Sequence, residues 1–155
     1  MPAINFNLYD KFRENNFDGN AINFESPTGN GIKCAIVVAG YAPNQNTDNF
    51  WADVNPGTNE VVGTGYTAGG NLLANGIVIL DGAGLASVDL DDPNIWAQTA
   101  GGFADGDRVI IYHDTGTEGT SKLIGYSESF GSGQGNLNAD FFVELGIAGL
   151  FTSTR

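Results

Sequence analysis

Hydrophobic positions along this chain fall into short runs separated by glycine, asparagine and aspartate. Residues 32–39 form the most continuous β-branched run of the first half, bounded by glycines, and read as a core strand. Residues 5–17 carry helical spacing instead, with Leu8 and Phe12 four apart and Tyr9 and Phe12 three apart. Asn7 is the expected N-cap, with Asp10 three residues on as a carboxylate variant of the capping box, so a helix is predicted over about 7–17 and ends at Gly19. Residues 21–24 read as a short strand before the turn cluster 26–31, and 40–48 as a loop. Residues 49–54 fit one helical turn that buries Trp51 and is closed by Pro56-Gly57. Beyond it, Leu72-Leu73, 77–80 and 85–90 read as strands, 94–97 as a short piece and 108–113 as the clearest strand of the second half. After a turn at 114–120, residues 123–126 return the chain, 131–136 read as a flexible loop, and 140–145 and 149–152 as aromatic-rich strands. Many short strands without long helices between them predict an all-β fold, a β-sandwich or barrel-like, with a short N-terminal helix. With neither a linker nor a periodic repeat, residues 1–155 are expected to form a single domain.

Composition sharpens this picture. The 23 glycines sit between the apolar runs, where tight turns need them, and do not form a low-complexity block. Eighteen acidic against six basic residues give a net charge of −12, a surface that repels phosphate backbones and anionic lipids. Neither nucleic acid nor a membrane surface is therefore an expected partner, whereas a basic protein surface or divalent cations would suit the charge. Cys34 is the only cysteine and lies inside the 32–39 run, so it is expected to be a small buried thiol. There is no basic-then-apolar leader pattern and no apolar run near the ~20 residues of a membrane span. The chain is expected to be made in a cytoplasm.

The densest glycine spacing lies at residues 61–70, where Gly63, Gly65 and Ala68 match a dinucleotide-binding G-x-G-x-x-G/A pattern by letter. That chemistry requires a buried strand before the glycines and a helix after them, whose N-terminal amides meet the pyrophosphate. Only Val61-Val62 precede, and Gly69-Gly70-Asn71 would break a helix at its first turn, so the segment reads as an irregular loop with Tyr66 as its anchor. The acidic stretches 89–94 and 105–107 read as solvated turns; Pro93 stands where a calcium loop would place a ligand. His113, the sole histidine, ends a strand and is expected to face solvent, and no nucleophile-elbow motif marks any serine. Nothing selects a glycosidase-like carboxylate pair either. No cofactor or metal is expected.

Five segments in order resemble a family of small tailed-bacteriophage virion structural proteins of the head-decoration or cement type. They are Leu8-Tyr9-Asp10-Lys11-Phe12, the stretch 59–70 with its Gly-Thr-Gly-Tyr-Thr-Ala-Gly-Gly centre, 91–96, 109–117 and Leu123-Ile124-Gly125-Tyr126. The chain departs from the family pattern in its glycine- and asparagine-rich residues between 14 and 58, and in Asn94 before Ile95-Trp96. The resemblance implies a non-enzymatic protein on the capsid exterior, a homotrimer that clamps neighbouring major capsid subunits. Phe6, Leu8, Tyr9, Phe12, Phe50 and Trp51 are candidates for subunit contact or, with equal claim, for the chain's own core, and Gly63, Gly65, Tyr66, Gly69 and Gly70 for the structural loop. The alternative within the same virion is a tail or fibre protein binding a host glycan or receptor, for which exposed Tyr41, Trp51 and Trp96 would matter.

Overall fold

The computed structural model describes residues 6–80, 85–131, 133–145 and 151–154. The fold is all-β: the described residues form eight strands in two antiparallel sheets, with three short helices. The larger sheet contains β1 (Phe6–Leu8), β2 (Gly31–Val38), β3 (Asn71–Leu73), β6 (Gly106–Asp114) and β7 (Lys122–Ser127) in the order β1-β7-β6-β2-β3. The smaller one contains β4 (Ile77–Leu80), β5 (Leu85–Asp89) and β8 (Phe151–Thr154) in the order β4-β5-β8. The helices are α1 (Asp10–Phe17), α2 (Trp51–Val54) and α3 (Pro56–Asn59).

The β2–β6 pair is the spine. Gly31 meets Asp114 and Ile36 meets Val109, with a register shift at Val37/Val38. Ile32, Cys34, Ala35, Ile36 and Val37 on β2 face Val109, Ile110, Ile111 and Tyr112 on β6, and all are buried. Side chains on both faces of both strands are covered, which is why these two runs are continuously apolar and do not alternate. Cys34 is sealed within this layer, and burial pushes its thiol up to about 12.

At the N-terminus the predicted helix ends at Phe17 as expected but gives up its first residues, Asn7 and Leu8, to a strand. Residues Phe6–Leu8 pair with β7, Phe6 opposite Ser127, and Tyr9 N–H donates to the Ile124 carbonyl, 3.2 Å. Pairing satisfies backbone groups that an isolated first helical turn would leave open. The helix therefore starts at Asp10, Tyr9 is its N-cap without a side-chain cap bond, and Asn7 caps nothing. Trp51 is buried in α2, as expected, but Pro56 opens a further helical turn where closure was expected. Asn55 in the left-handed region (φ 53°) changes the direction of the chain, and proline then fits the first helical position. Asp53 Oδ2 receives the N–H groups of Asn49 and Phe50, both 2.8 Å, and supplies one half of a capping box.

Several expectations drawn from local patterning fail for tertiary reasons. Residues 21–24 form no strand: Asn23 Oδ1 takes the amides of Glu25 and Ser26, 3.1 Å each, and the turn so made competes with a ladder. Ile22 and Phe24 are nonetheless buried. Phe141, Val143 and Leu145 point alternately into the core as a strand would, yet the segment makes only the bridge Trp96–Phe141. Gly106 and Asp107 belong to β6 and not to a solvated turn, and Asp107 is buried with Arg108 (2.9 Å) and Ser129 (2.6 Å) as partners. His113 is buried too, its Nε2 2.8 Å from the Thr28 carbonyl. The 131–136 loop is tied down where flexibility was expected: Gln134 bridges Gly106, and Asn136 is fully buried. Ser132 within it lies outside the described residues, as do 149 and 150 of the last predicted strand.

A cavity in the spine should be costly. Replacing Ile36 by Ala is expected to lower the unfolding free energy by about 2–5 kcal/mol in urea titration. Ile95→Ala, at a side chain 61% exposed, should stay within about 0.5 kcal/mol. Equal losses at the two positions would contradict this core.

Candidate functional site

Residues 61–70 cover the edge of β2 where β3 stops. β3 pairs only with Ile32, Lys33 and Cys34, which leaves the Ile36 backbone without a strand partner on that side. The loop supplies the missing groups. Val61 N–H donates to the Ile36 carbonyl at 3.1 Å, and Ile36 N–H donates to the Tyr66 hydroxyl oxygen at 3.0 Å. The Tyr66 hydroxyl in turn donates to Glu60 Oε1 at 2.6 Å, and Gly69 N–H donates to the same oxygen at 2.6 Å. One side chain thus stands in for a strand residue.

The glycines are needed for contact as well as for conformation. A Cβ on Gly70 (φ +75°) would fall 2.0 Å from the Cys34 carbonyl oxygen, and one on Gly63 would fall 2.4 Å from the Phe103 amide nitrogen. Gly65 and Gly69 also hold positive φ. No helix follows the glycines, because residues 66–70 turn directly into β3, so the frame required by a dinucleotide fingerprint is absent from this segment. Tyr66 packs edge-on to Phe103 (5.5 Å) and lies near Trp96 (6.2 Å), while Phe141 closes on Phe103 and Trp96 from behind.

Asn136 locks this cluster from the far side. Its Oδ1 accepts from Phe103 N–H at 3.0 Å, and its Nδ2 donates to the carbonyls of Thr64 (3.2 Å) and Ala97 (3.0 Å). A buried amide with three good partners specifies one arrangement of three loops. Sequence reasoning missed it, since an asparagine in a glycine-rich stretch reads as an ordinary turn residue.

An open cleft of about 450 Å³ lies beside the loop, lined among others by Lys33, Trp51, Glu60, Gly69, Tyr112 and Glu118. Trp51 and Tyr112 stack face to face, 4.3 Å apart and 4° from parallel, and the Tyr112 hydroxyl donates to the Gly69 carbonyl at 2.9 Å. Lys33 Nζ sits 2.8 Å from Asp114 Oδ2. Burial pushes the Asp114 carboxyl up, but hydrogen bonds from Lys33, the Gly116 amide and Asn30 outweigh it and hold the group below the usual range. Glu60 goes the other way: burial raises it, only partly offset by Tyr66, Gly69 and Lys33, while Glu118 adds to the rise. Ser121 is held by Asp114 and the Thr117 carbonyl, and His113 by Thr28. No group of three or more His, Cys, Asp or Glu suited to a metal ion occurs among the described residues.

The structure brings Gly63, Gly65, Tyr66, Gly69 and Gly70 into one built loop. It takes Tyr9, Phe12 and Trp51 out of any exposed contact patch, because each is buried in the chain's own core. Phe6, Leu8 and Phe50 are half-buried, the first two against that same core. Comparison of the chain with protein-family models, with curated proteins and with solved structures returned no match.

Two outcomes are expected. Tyr66→Phe leaves the buried Ile36 N–H without an acceptor and should cost about 1–3 kcal/mol, read by urea unfolding, while added nucleotide leaves the melting temperature unchanged; a nucleotide-induced shift would reverse the loop assignment. For Glu60 the folded-state pKa lies above its ordinary value of 4.5. Its contribution to stability is complete below that value and is lost as pH rises through the folded pKa. Glu60→Gln keeps the acceptor without the charge, so its melting temperature relative to wild type should rise between pH 4 and pH 7. A relative fall over the same range would show that the carboxylate charge stabilises the loop.

Proposed function

We propose that this chain is a bacteriophage virion structural protein without enzymatic activity, a decoration or cement protein on the capsid exterior. In this reading it is made in the host cytoplasm, assembles as a homotrimer and clamps neighbouring major capsid subunits, with neither nucleic acid nor membrane as partner. The observation that carries the reading is β4. Ile77, Val78, Ile79 and Leu80 are all apolar and all exposed, at 47, 42, 45 and 74% of their surface, on the outer strand of a sheet. An edge strand of this kind in a protein that works alone would be an aggregation hazard, and natural proteins blunt such edges with charge, proline or cover. A protein that works in an assembly uses it for contact.

Two further points support the reading. The ordered resemblance to virion proteins covers most of the chain from residue 8 to about 126. The net charge of −12 also keeps a densely decorated particle from sticking to its neighbours. Many weak contacts repeated over a lattice add through multivalency, so each copy needs only a modest interface. The tail or fibre reading calls for aromatic faces open to a sugar, and Tyr41, Trp51 and Trp96 are 6, 4 and 2% exposed.

Adding the purified protein to undecorated capsids and counting copies per particle tests the proposal. Occupancy in fixed ratio to the major capsid protein is expected. A handful of copies at one vertex, or no binding, would overturn it.

A further inference from the structure

Glycine follows asparagine twice in this chain, at Asn30-Gly31 and at Asn75-Gly76. At such a pair the glycine peptide nitrogen can attack the asparagine side-chain carbonyl carbon, because no side chain on the second residue stands in the way. A C–N bond forms and ammonia leaves. The resulting five-membered imide then takes up water and opens to aspartate, or to isoaspartate, in which the main chain runs through the side-chain carbon. The asparagine amide must be free to fold back and the glycine nitrogen free to meet it, so local structure decides which pair reacts.

The two pairs are held very differently. Asn30 N–H donates to the Asp114 carbonyl at 2.7 Å, and its Nδ2 donates to Asp114 Oδ2 at 3.1 Å. Gly31 is buried as the first residue of β2 and is paired with Asp114 in the spine. Its nitrogen reaches the Asn30 side chain only after this end of the large sheet has opened. Asn75, by contrast, is exposed, lies between β3 and β4, and holds φ at 51°. Among the described residues its side chain bonds only Asp91, Nδ2 donating to Oδ2 at 2.5 Å, and the Gly76 N–H makes no hydrogen bond.

We propose that Asn75 is a site of spontaneous deamidation in the folded protein, and that its conversion breaks a tie where β4 and β5 meet the large sheet. Ile77 pairs with Asp89, and Asn75 opposite Asp91 continues that register; the Asp91 N–H also donates to the Ala74 carbonyl at 3.0 Å. Asn75 and Asp91 thus form the last rung of the β4–β5 ladder, next to the end of β3 at Leu73. Aspartate at 75 sets two carboxylates directly across from each other, repulsive where the amide was attractive. Isoaspartate lengthens the main chain where it is already crowded, since a Cβ on Gly76 would fall 2.2 Å from the Phe24 carbonyl oxygen.

The two asparagines serve as each other's control. Native protein and protein unfolded in guanidinium are incubated side by side at mildly alkaline pH, and both sites are followed by peptide mapping with mass spectrometry. The unfolded chain presents two equivalent pairs, which should convert at similar rates. In the native protein Asn75 should go on converting, while Asn30 slows by at least about tenfold relative to it.

Installing the product tests the consequence. Asn75→Asp should lower the melting temperature by about 2–4 °C. Combining it with Asp91→Asn exchanges the amide and the carboxylate across the rung and should restore most of that loss. If Asn75→Asp fails to fold, the comparison of native with unfolded wild-type chain still decides. Equal protection of the two sites, conversion of Asn30 ahead of Asn75 in the native protein, or an Asn75→Asp variant as stable as wild type would overturn the proposal.

Discussion

The hydroxyl of Tyr66 is the small group on which this architecture turns. It accepts the Ile36 amide and donates to Glu60, and so finishes the edge of β2 where β3 has run out. Without it a buried strand of the large sheet would present an unpaired amide, at a cost of about 1–3 kcal/mol. The glycines around Tyr66 serve the same end. Gly70 lets the loop return to within contact of the Cys34 carbonyl, and Gly63 lets it lie against Phe103. In a segment whose letters suggest a ligand cradle, Gly63 and Gly70 are spent on close contact with the chain's own backbone.

From this edge the structure spreads outward in two directions. Toward the cleft, Glu60 and Gly69 connect the loop to Lys33 and Tyr112, and through them to Asp114 and the Trp51 stack. Toward the opposite side, Tyr66 enters the aromatic group of Trp96, Phe103 and Phe141, which Asn136 holds in place by bonding three separate backbones. In the Glu60 carboxylate, burial opposes the hydrogen bonds that the loop provides. Of these opposing effects burial is the larger, and it holds the Glu60 carboxyl above its ordinary range.

How much of this could be read from the letters follows from the range of the interactions. The strands β2 and β6 were legible because burial on both faces writes itself as a continuous apolar run rich in β-branched residues. The anchoring of Tyr66 was legible because glycines on both sides leave an aromatic nothing else to do. Phe6-Asn7-Leu8 was not, since its extended form depends on β7, which arrives more than a hundred residues later. Asn136 was equally hidden, because its partners are backbone atoms at Thr64, Ala97 and Phe103. Residues 141–145 show the halfway case, in which alternation foretold burial correctly and a ladder wrongly. The exposure of β4 runs against its own sequence, for an Ile-Val-Ile-Leu run reads as interior.

The strand order also carries a consequence for how the chain is made. β2 lies between β6, which begins at Gly106, and β3, which begins at Asn71, while β1 waits for β7, which ends at Ser127. At synthesis rates of roughly 5–20 residues per second, β2 leaves the ribosome several seconds before its principal partner exists. During that interval β3 and the glycine loop are the partners already made, and both belong to the first seventy-three residues. The loop that finishes an edge in the mature fold is thus also available to guard a lone apolar strand while the rest of its sheet is still being translated.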